Sequence, residues 1–184
     1  MTTITPLAIA DVLLITPKRH GDARGWFAET WSSKSLAGTV ADTRFVQDNQ
    51  AFSARKGTLR GLHFQKAPHA QGKLVRALKG SIFDVAVDIR PGSATYGQWV
   101  GASLTAAGGE QLWVPRGFAH GYVTTEDDTE IFYKVDGDYA PQLEGGLIWN
   151  DPDLGIAWPL DGEPVLSDKD KVLPRLKDMP KAEF

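Results

Sequence analysis

The chain has 184 residues, no cysteine and a formal net charge of -3. This length suits one domain with a sizeable buried core, and the absence of cysteine excludes disulfides, thiolate metal sites and cysteine nucleophiles. The slightly acidic balance gives no electrostatic footprint for nucleic acid, so any anionic ligand has to be bound by local arginine and lysine side chains.

The sequence also gives no sign of a membrane span or a signal peptide. No apolar run approaches the length that crosses a bilayer. Residues 1–17 carry Asp11 among their apolar residues and lack a basic start. We therefore expect a cytoplasmic protein, with neither a membrane nor a nucleic acid as its partner.

Strand-like runs between short turns dominate the chain. In chain order, the predicted elements are a short helix at 32–37, a strand-like segment at 58–73, strands at 81–89, 98–104, 111–114 and 130–135, and a second short helix at 168–173. Within 81–89, Phe83, Val85 and Val87 alternate with Asp84 and Asp88. This period of two predicts a strand with one buried and one exposed face.

Many short strands at regular spacing favour an all-β fold, with a jelly-roll β-barrel as the leading version of a sandwich or barrel. The chain has no repeat, linker or low-complexity tract, so we predict a single domain over residues 1–184. From about residue 150 the chain is rich in Pro, Asp and Gly. We expect an extension of loops and a short peripheral helix there, pinned to the barrel by Trp149 and Trp158.

Arg60, His63 and Lys73 fall within one short segment. His63 is either a core histidine bonded to a backbone carbonyl or a general base, since imidazole titrates near neutrality. Arg60 favours the second interpretation, because an arginine in a buried-looking strand is costly unless it faces a ligand or a partner charge. Lys73 is either solvated or stabilises a developing enolate oxygen from within a cavity.

The segment Pro115-Arg116-Gly117-Phe118-Ala119-His120 matches the back half of a metal-binding cupin signature. The front half would need His-x-His, whereas His63 is followed by Phe64 and Gln65. Two widely spaced histidines without a supporting carboxylate make a poor metal site. We therefore predict a cupin-like fold without a metal, in which His120 contacts a ligand or has a structural role.

Three further groups carry possible chemistry. Tyr133 shares a strand face with apolar residues and is either a core tyrosine or a general acid opposite His63. Asp170 follows Ser167 at a predicted helix start, and such a carboxylate can also orient a histidine base. Arg24 and Phe27 sit in a turn-rich stretch that either clamps a phosphate and stacks on a base or is a surface turn with an edge strand.

Taken together, these segments resemble the dTDP-4-dehydrorhamnose 3,5-epimerase family. The resemblance is collinear from about residue 11 to residue 170. The matching motifs are Gly21-Asp22, Arg24-Gly25, Phe45-Val46-Gln47-Asp48-Asn49, Leu59-Arg60-Gly61-Leu62-His63-Phe64-Gln65, Gln71-Gly72-Lys73-Leu74-Val75-Arg76, Phe83-Asp84-Val85-Ala86-Val87-Asp88-Ile89-Arg90, Pro115-x-Gly117-Phe118-Ala119-His120-Gly121, Tyr133-Lys134 and Ser167-x-Lys169-Asp170.

The resemblance implies a cofactor-free cupin jelly roll that forms a homodimer. Its substrate is a nucleotide-sugar, dTDP-4-dehydro-6-deoxy-D-glucose, which it converts to dTDP-4-dehydro-L-rhamnose by inverting C3 and C5. By this match His63 is the base, Asp170 its partner, Lys73 the enolate stabiliser and Tyr133 the acid on the other face. Positions that match substrate-binding residues are Arg24, Phe27, Glu29, Gln47, Asp48, Asn49, Arg60, Lys73, His120, Tyr139, Glu144 and Lys169, of which Phe27 and Tyr139 match aromatic positions near the thymine.

One segment departs from the family, and other functions stay open. After Asn49 many members have His-Ser, whereas this chain has Gln50-Ala51 and then Phe52. The residues alone also allow a mono-epimerase that acts at C3 or C5 of a related dTDP-4-keto sugar, a non-catalytic cupin that binds a sugar nucleotide, and a metal-dependent cupin oxygenase.

Overall fold

The computed structural model describes residues 1–36, 38–40 and 43–184. Within this part the chain forms thirteen β-strands and three short 3₁₀ helices. The strands are β1 (Thr3–Pro6), β2 (Leu13–Thr16), β3 (His20–Asp22), β4 (Gly25–Phe27), β5 (Gln47–Ser53), β6 (Leu59–Gln65), β7 (Lys73–Lys79), β8 (Ser81–Asp88), β9 (Trp99–Thr105), β10 (Gln111–Val114), β11 (Phe118–Thr124), β12 (Thr129–Val135) and β13 (Glu144–Gly146). The 3₁₀ helices are Pro141–Leu143, Asp170–Val172 and Leu176–Asp178.

Two antiparallel sheets form the body of the molecule. One has six strands in the order β1-β2-β10-β7-β12-β5, and the other has five in the order β13-β6-β11-β8-β9. Their inner faces share one apolar core, to which Val75, Ile82, Leu112, Tyr122 and Ile131 contribute. The predicted all-β jelly roll is thereby confirmed. Strands β3 and β4 form a separate two-stranded hairpin.

The predicted strands occur within one or two residues of their expected bounds, but the predicted helices do not form as α-helices. Residues 33–36 form turns, and the final residue of that prediction, Ala37, lies outside the described residues. The predicted helix at 168–173 is a single 3₁₀ turn at Asp170–Val172. The physical reason is length, because a six-residue helix forms too few hydrogen bonds to offset the cost of its first turn.

The prediction of one exposed face for β8 is wrong. Asp84 and Asp88 are 0% exposed. The inner face of β8 joins the core between the sheets through Ile82 and Ala86. Its outer face is also covered, because β8 lies between β11 and β9 and the C-terminal segment packs across them.

That covering segment begins after β13. Leu147, Leu154 and Ala182 pack against Val85 and Val87 on the outer face of the five-stranded sheet. The ring of Trp158 meets the ring of Phe83 edge-on at 6.4 Å, and its indole N–H donates to the carbonyl of Trp149 at 2.8 Å. Trp158 therefore anchors this segment to the barrel, whereas Trp149 contributes a backbone carbonyl that holds the Trp158 ring. Within the described residues, no helix has the length and apolar character to cross a membrane.

Candidate active site

A local irregularity in β6 turns two polar side chains toward the same interior. In β11, His120 lies opposite His63 and Tyr122 lies opposite Arg60, so the register shifts by one residue between these pairs. In a regular strand, residues three apart point to opposite faces. The extra residue in β6 acts like a β-bulge and brings Arg60 and His63 to one cavity.

His63 is paired with Asp170. The Nε2 atom of His63 lies 2.6 Å from Oδ1 of Asp170, which is 3% exposed at the start of the Asp170–Val172 helix. The backbone amide of Asp170 donates to Oγ of Ser167 at 3.2 Å. Burial has the largest single effect on the pKa of Asp170 and works to raise it. The hydrogen bond and charge of His63, together with hydrogen bonds from Ser167 and Gly61, outweigh burial, and the net shift of this pKa is downward. Asp170 therefore accepts from Nε2–H, which leaves Nδ1 of His63 as the proton acceptor.

Lys73 and Tyr133 reach the interior from the opposite sheet. Lys73 begins β7 and Tyr133 lies on β12, and these two strands pair directly, with Tyr133 opposite Val75. His63 belongs to the five-stranded sheet and Tyr133 to the six-stranded one. Because the two sheets face each other, a molecule between them is in reach of an imidazole on one side and a phenol on the other.

Burial changes the acidity of both groups on the six-stranded sheet. It lowers the pKa of the Lys73 ammonium to about 8, against the opposing charges of Asp84 and Glu144. Burial also raises the pKa of Tyr133, against the opposing positive charge of Arg60. Near neutral pH, Lys73 therefore carries its proton but holds it less strongly than a lysine in water, and Tyr133 is a neutral phenol that can donate a proton.

His120 forms a second histidine–aspartate pair in the same interior. It is 7% exposed, and its Nε2 lies 2.6 Å from Oδ1 of Asp84. Burial lowers the pKa of His120 and the positive charge of Lys73 acts in the same direction, while Asp84 opposes both. The neutral imidazole then donates to Asp84 through Nε2 and keeps Nδ1 unprotonated.

Two adjoining cavities open around His63, Lys73 and Tyr133, which line both of them. The first, of about 270 Å³, is also lined by Gln47, Asn49, Phe64, Gln65, Gln71, Tyr139 and Glu144. The second, of about 450 Å³, is also lined by Ala51, Thr58, Leu59, Arg60, His120, Tyr122, Val165, Leu166, Ser167, Lys169 and Asp170. The three shared residues therefore stand where one elongated ligand would pass from one cavity to the other.

The walls of these cavities offer groups for a polar, anionic ligand. Lys169, which lines the second cavity, and Glu144, which lines the first, form an ion pair of 2.5 Å. Gln47 donates from Nε2 to Oδ1 of Asn49 at 2.7 Å, and Tyr139 remains 57% exposed at the mouth. Arg60 and Lys169 provide positive charges that can bind phosphate oxygens. The amides of Gln47 and Asn49 can form hydrogen bonds with a nucleobase, and the ring of Tyr139 can stack on it.

Four of the predicted binding residues are not brought to these cavities. Asp48 lies on the outer side of β5, and Nζ of Lys134 binds its carboxylate at 2.8 Å. Arg24, Phe27 and Glu29 belong to the β3–β4 hairpin and the segment after it, and they line neither cavity. The guanidinium of Arg24 pairs with Asp22 at 2.6 Å and remains 90% exposed.

The structure also brings to the interior two residues that the sequence did not single out, of which Tyr122 lines the second cavity. Asp84 and Tyr122 face the interior, and burial raises the pKa of the Tyr122 phenol to about 12. The sequence did contain an indication for Asp84, because an acidic residue within a strongly apolar strand is unusual. Its alternation with Phe83 and Val85, however, predicted that Asp84 lies on an exposed face. In the segment that departs from the family, Ala51 lines the second cavity, whereas Gln50 and Phe52 are exposed on the other face of β5.

Comparisons with known proteins agree on one family. A family model described as dTDP-4-dehydrorhamnose 3,5-epimerase matches residues 6–178. The chain is 53% identical to a dTDP-4-dehydrorhamnose 3,5-epimerase of Sinorhizobium fredii, over 95% of this chain and 89% of that protein. It is 48% identical to the enzyme of the same name from Salmonella typhimurium, over 96% of each.

A solved structure matches the fold closely. It is a dTDP-6-deoxy-D-glucose-3,5-epimerase from Legionella pneumophila in complex with dTDP-4-keto-L-rhamnose. The two chains superpose with a TM-score of 0.92 at 42% identity, over 98% of this chain and 95% of the other. The similarity therefore covers both sheets and the elements that carry the candidate site.

Proposed function

The chain belongs to the dTDP-4-dehydrorhamnose 3,5-epimerase family, and from that premise we propose that His63, Tyr133 and Lys73 invert C3 and C5 of dTDP-4-dehydro-6-deoxy-D-glucose. One observation carries the assignment of these roles. An aspartate-paired imidazole and a protonated phenol enter one interior from facing sheets, with a buried ammonium beside them. Inversion at a carbon needs a base on one face and an acid on the other.

The substrate's ketone makes the chemistry possible. C3 and C5 flank the C4 carbonyl, so loss of either C–H proton gives an enolate. Nδ1 of His63 takes the proton, and the electron pair of the broken C–H bond moves into the enolate, whose charge rests on O4. Tyr133 then returns a proton from the opposite face and forms a new C–H bond. Exchange with solvent removes the proton from His63 and restores the phenol of Tyr133, so no oxidant or reductant is needed.

Each group contributes a different part of the rate. A positioned acid or base contributes about 10²–10⁴-fold, and a group that stabilises an oxyanion adds about 10²–10³-fold. Lys73 suits the second role because its ammonium is buried, where an electrostatic interaction is stronger than in water. Asp170 stabilises the imidazolium that forms when His63 accepts the proton.

The nucleotide end of the substrate is assigned by charge and shape. Arg60 and Lys169 supply cations for the diphosphate, and His120 lies on the same cavity wall. The amides of Gln47 and Asn49 and the ring of Tyr139 line the other cavity, where they can bind and stack against thymine. Because the diphosphate joins the thymidine to the sugar, this order would place the thymine at Tyr139, the sugar beside His63 and the diphosphate between them.

The working molecule is proposed to be a homodimer, because part of the predicted site lies away from the cavities of its own chain. Arg24, Phe27 and Glu29 match substrate-binding positions of the family but line neither cavity. Their hairpin exposes Trp26 by 59% and Phe27 by 71%. Two exposed aromatic residues on a projecting hairpin are typical of a surface that meets a partner. A second copy of the chain would receive this hairpin at the mouth of its own site.

Solvent deuterium tests the reaction directly. The protein is incubated in D₂O with dTDP-4-dehydro-6-deoxy-D-glucose, and NMR follows the label at each sugar carbon. We expect deuterium at both C3 and C5, together with formation of the inverted product. Label at one carbon alone would instead identify a mono-epimerase.

The same assay distinguishes an epimerase from a protein that only binds the nucleotide-sugar. A non-catalytic cupin would bind the nucleotide-sugar equally well after His63→Ala and would incorporate no deuterium before or after the change. Loss of label in His63→Ala with binding retained supports the proposed role of the base. Equal labelling by the variant and the wild type would contradict it.

A further inference from the structure

Asp84 is a fully buried carboxylate of which only one oxygen is hydrogen-bonded within the part of the chain that the structure describes. Its side chain is 0% exposed, and His120 donates from Nε2 to its Oδ1 atom at 2.6 Å. Its Oδ2 atom is also buried and has no hydrogen-bond partner among the residues that the structure describes. An unpaired buried carboxylate oxygen is costly to a fold, so a functional role is the natural explanation for its presence.

Asp88 on the same strand shows what a structural carboxylate looks like. It is also 0% exposed, but Arg90, Ser93 and Thr95 together bond both of its oxygens at 2.6–3.0 Å. Burial opposes the ionisation of Asp88, yet these bonds hold its pKa at about 2. Both carboxylate oxygens of Asp88 are thus neutralised by bonds to adjacent residues, whereas Oδ2 of Asp84 has no such partner among the described residues and its charge can act on other groups.

Charged and titratable side chains from five strands line the cavities that His120, the partner of Asp84, helps to form. They are Lys73 on β7, His63 and Arg60 on β6, His120 and Tyr122 on β11, Tyr133 on β12 and Glu144 on β13. Among the charges acting on Lys73, Asp84 has the largest effect in favour of its ammonium form and Glu144 the next largest. Glu144 is itself bound to Lys169, so Asp84 is the better counter-charge for Lys73.

We propose that Asp84 is a positioning residue of this epimerase, which fixes the ring of His120 and supplies the counter-charge that keeps Lys73 protonated. This inference rests on the proposed function, because it gives Asp84 its effect through Lys73 and His120. Lys73 can stabilise an enolate only as an ammonium, and burial alone would favour its neutral form. Asp84 corrects this without touching the substrate, since its side chain is fully buried and lines neither cavity.

A titration of Lys73 tests the inference without any substrate. Protein labelled with ¹³C-lysine is titrated by NMR, and the Lys73 signal is assigned by its loss in Lys73→Ala. The wild-type midpoint is expected at about pH 8. Asp84→Asn should lower it by about one pH unit or more, because a nearby opposite charge shifts a pKa by about 1–3 units. Asp88→Asn, the matched control from the same strand, should leave the midpoint unchanged.

The same shift should appear in the pH profile of epimerisation. If the Lys73 midpoint falls by one unit, the rate deficit of Asp84→Asn relative to wild type grows about fivefold between pH 6 and pH 8. The rate of Asp88→Asn should change by a constant factor over this range. A deficit of Asp84→Asn that is the same at every pH would indicate a purely structural role and overturn the inference.

The outcomes separate this inference from the proposed function. A folded Asp84→Asn protein with an unchanged Lys73 midpoint overturns the role of Asp84, even if the wild type epimerises its substrate. A wild type that incorporates no deuterium overturns the proposed function, while the titration still decides whether Asp84 controls Lys73. If Asp84→Asn does not fold, Asp84→Ser replaces it. A wild-type Asp84 found protonated at pH 7 by ¹³C-aspartate NMR would overturn the inference without any variant.

Discussion

At the scale of single residues, the site divides proton removal and proton return between two sheets. Asp170 holds Nε2 of His63 at 2.6 Å and so commits the ring to one tautomer with Nδ1 free. Tyr133 is protonated near neutrality, as an ordinary phenol is, and burial raises the pKa of its phenol further. The two residues therefore have opposite roles before any substrate arrives, and each role can be removed separately.

Removal of the Tyr133 hydroxyl should uncouple exchange from inversion. In Tyr133→Phe, His63 still removes a proton and can return a deuteron to the same face, so label should enter the substrate without formation of the inverted product. His63→Asn should lose both exchange and inversion, by about 10²–10⁴-fold. NMR in D₂O measures both quantities in one sample. His69→Asn, which alters a histidine outside both cavities, is the control and should behave as wild type.

Normal inversion by Tyr133→Phe would assign the acid to another group. Tyr122 would be the first alternative, since it lines the same cavity.

The sequence predicted these residues better than it predicted their neighbours. Arg60, His63 and Lys73 stood out because polar side chains in an apolar strand segment are costly without a partner. Asp84 did not, because alternation along a strand shows that two faces differ but not whether both are covered. Coverage of β8 depends on the distant segment that contributes Leu147 and Leu154, and no local pattern contains that information.

At the scale of elements, the decisive feature is the irregular course of β6. Gly61 lies between Arg60 and His63 with φ of +121°. A Cβ atom at Gly61 would approach Cα of Gly121 to 2.6 Å and the carbonyl oxygen of His120 to 2.8 Å. Both are backbone atoms of β11 and cannot move aside without separating the strands. Glycine is therefore required for the register shift that turns Arg60 and His63 into one cavity.

Gly61→Ala should damage stability and activity together. The conformation and the backbone contacts should lower the free energy of unfolding by at least about 3 kcal/mol, and any folded protein should lose activity through displaced His63 and His120. Gly92→Ala is the matched control, because Gly92 also has a positive φ, +80°, but open space at the Cβ position. Its cost should be about 1–2 kcal/mol, with activity unchanged. Urea unfolding and the deuterium assay measure the two effects, and an equal loss of stability in both variants would contradict this account.

The bounds of several strands could be predicted from the local sequence pattern alone. Strands at 81–88, 99–105, 111–114 and 129–135 were predicted closely because β-branched and aromatic residues at a period of two fit a pleated surface. The one-residue shift in β6 could not be predicted, because it arises from the pairing of β6 with β11. A glycine between two polar residues was the only trace of it in the sequence.

At the scale of the whole molecule, the site is formed between two sheets, and three of the predicted binding residues lie on or next to a hairpin that lines neither cavity. The exposed Tyr139 and Asn49 of β5 line the first cavity, whereas Arg24 and Phe27 of the hairpin line neither cavity. Two copies related by a two-fold axis can exchange such hairpins, so that each closes the site of the other. Both sites of the dimer would then consist of residues from two chains.

Hybrid dimers distinguish this arrangement from a hairpin that acts within its own chain. A subunit with His63→Asn is combined with a subunit carrying both Arg24→Ala and Phe27→Ala, and differently tagged hybrids are purified. If the hairpin acts on the partner, one site contains both defects and the other contains none, so hybrids should recover about half of the wild-type activity while each parent remains impaired.

The control hybrid combines His63→Asn with Tyr133→Phe. Both residues line the cavities of their own chain, so each site of this hybrid keeps one defect and no recovery is expected. Recovery in the first hybrid alone places the hairpin in the partner's site. The absence of recovery in both, or a protein that sediments as a monomer, would contradict the exchange and assign Arg24 and Phe27 to a role outside the site.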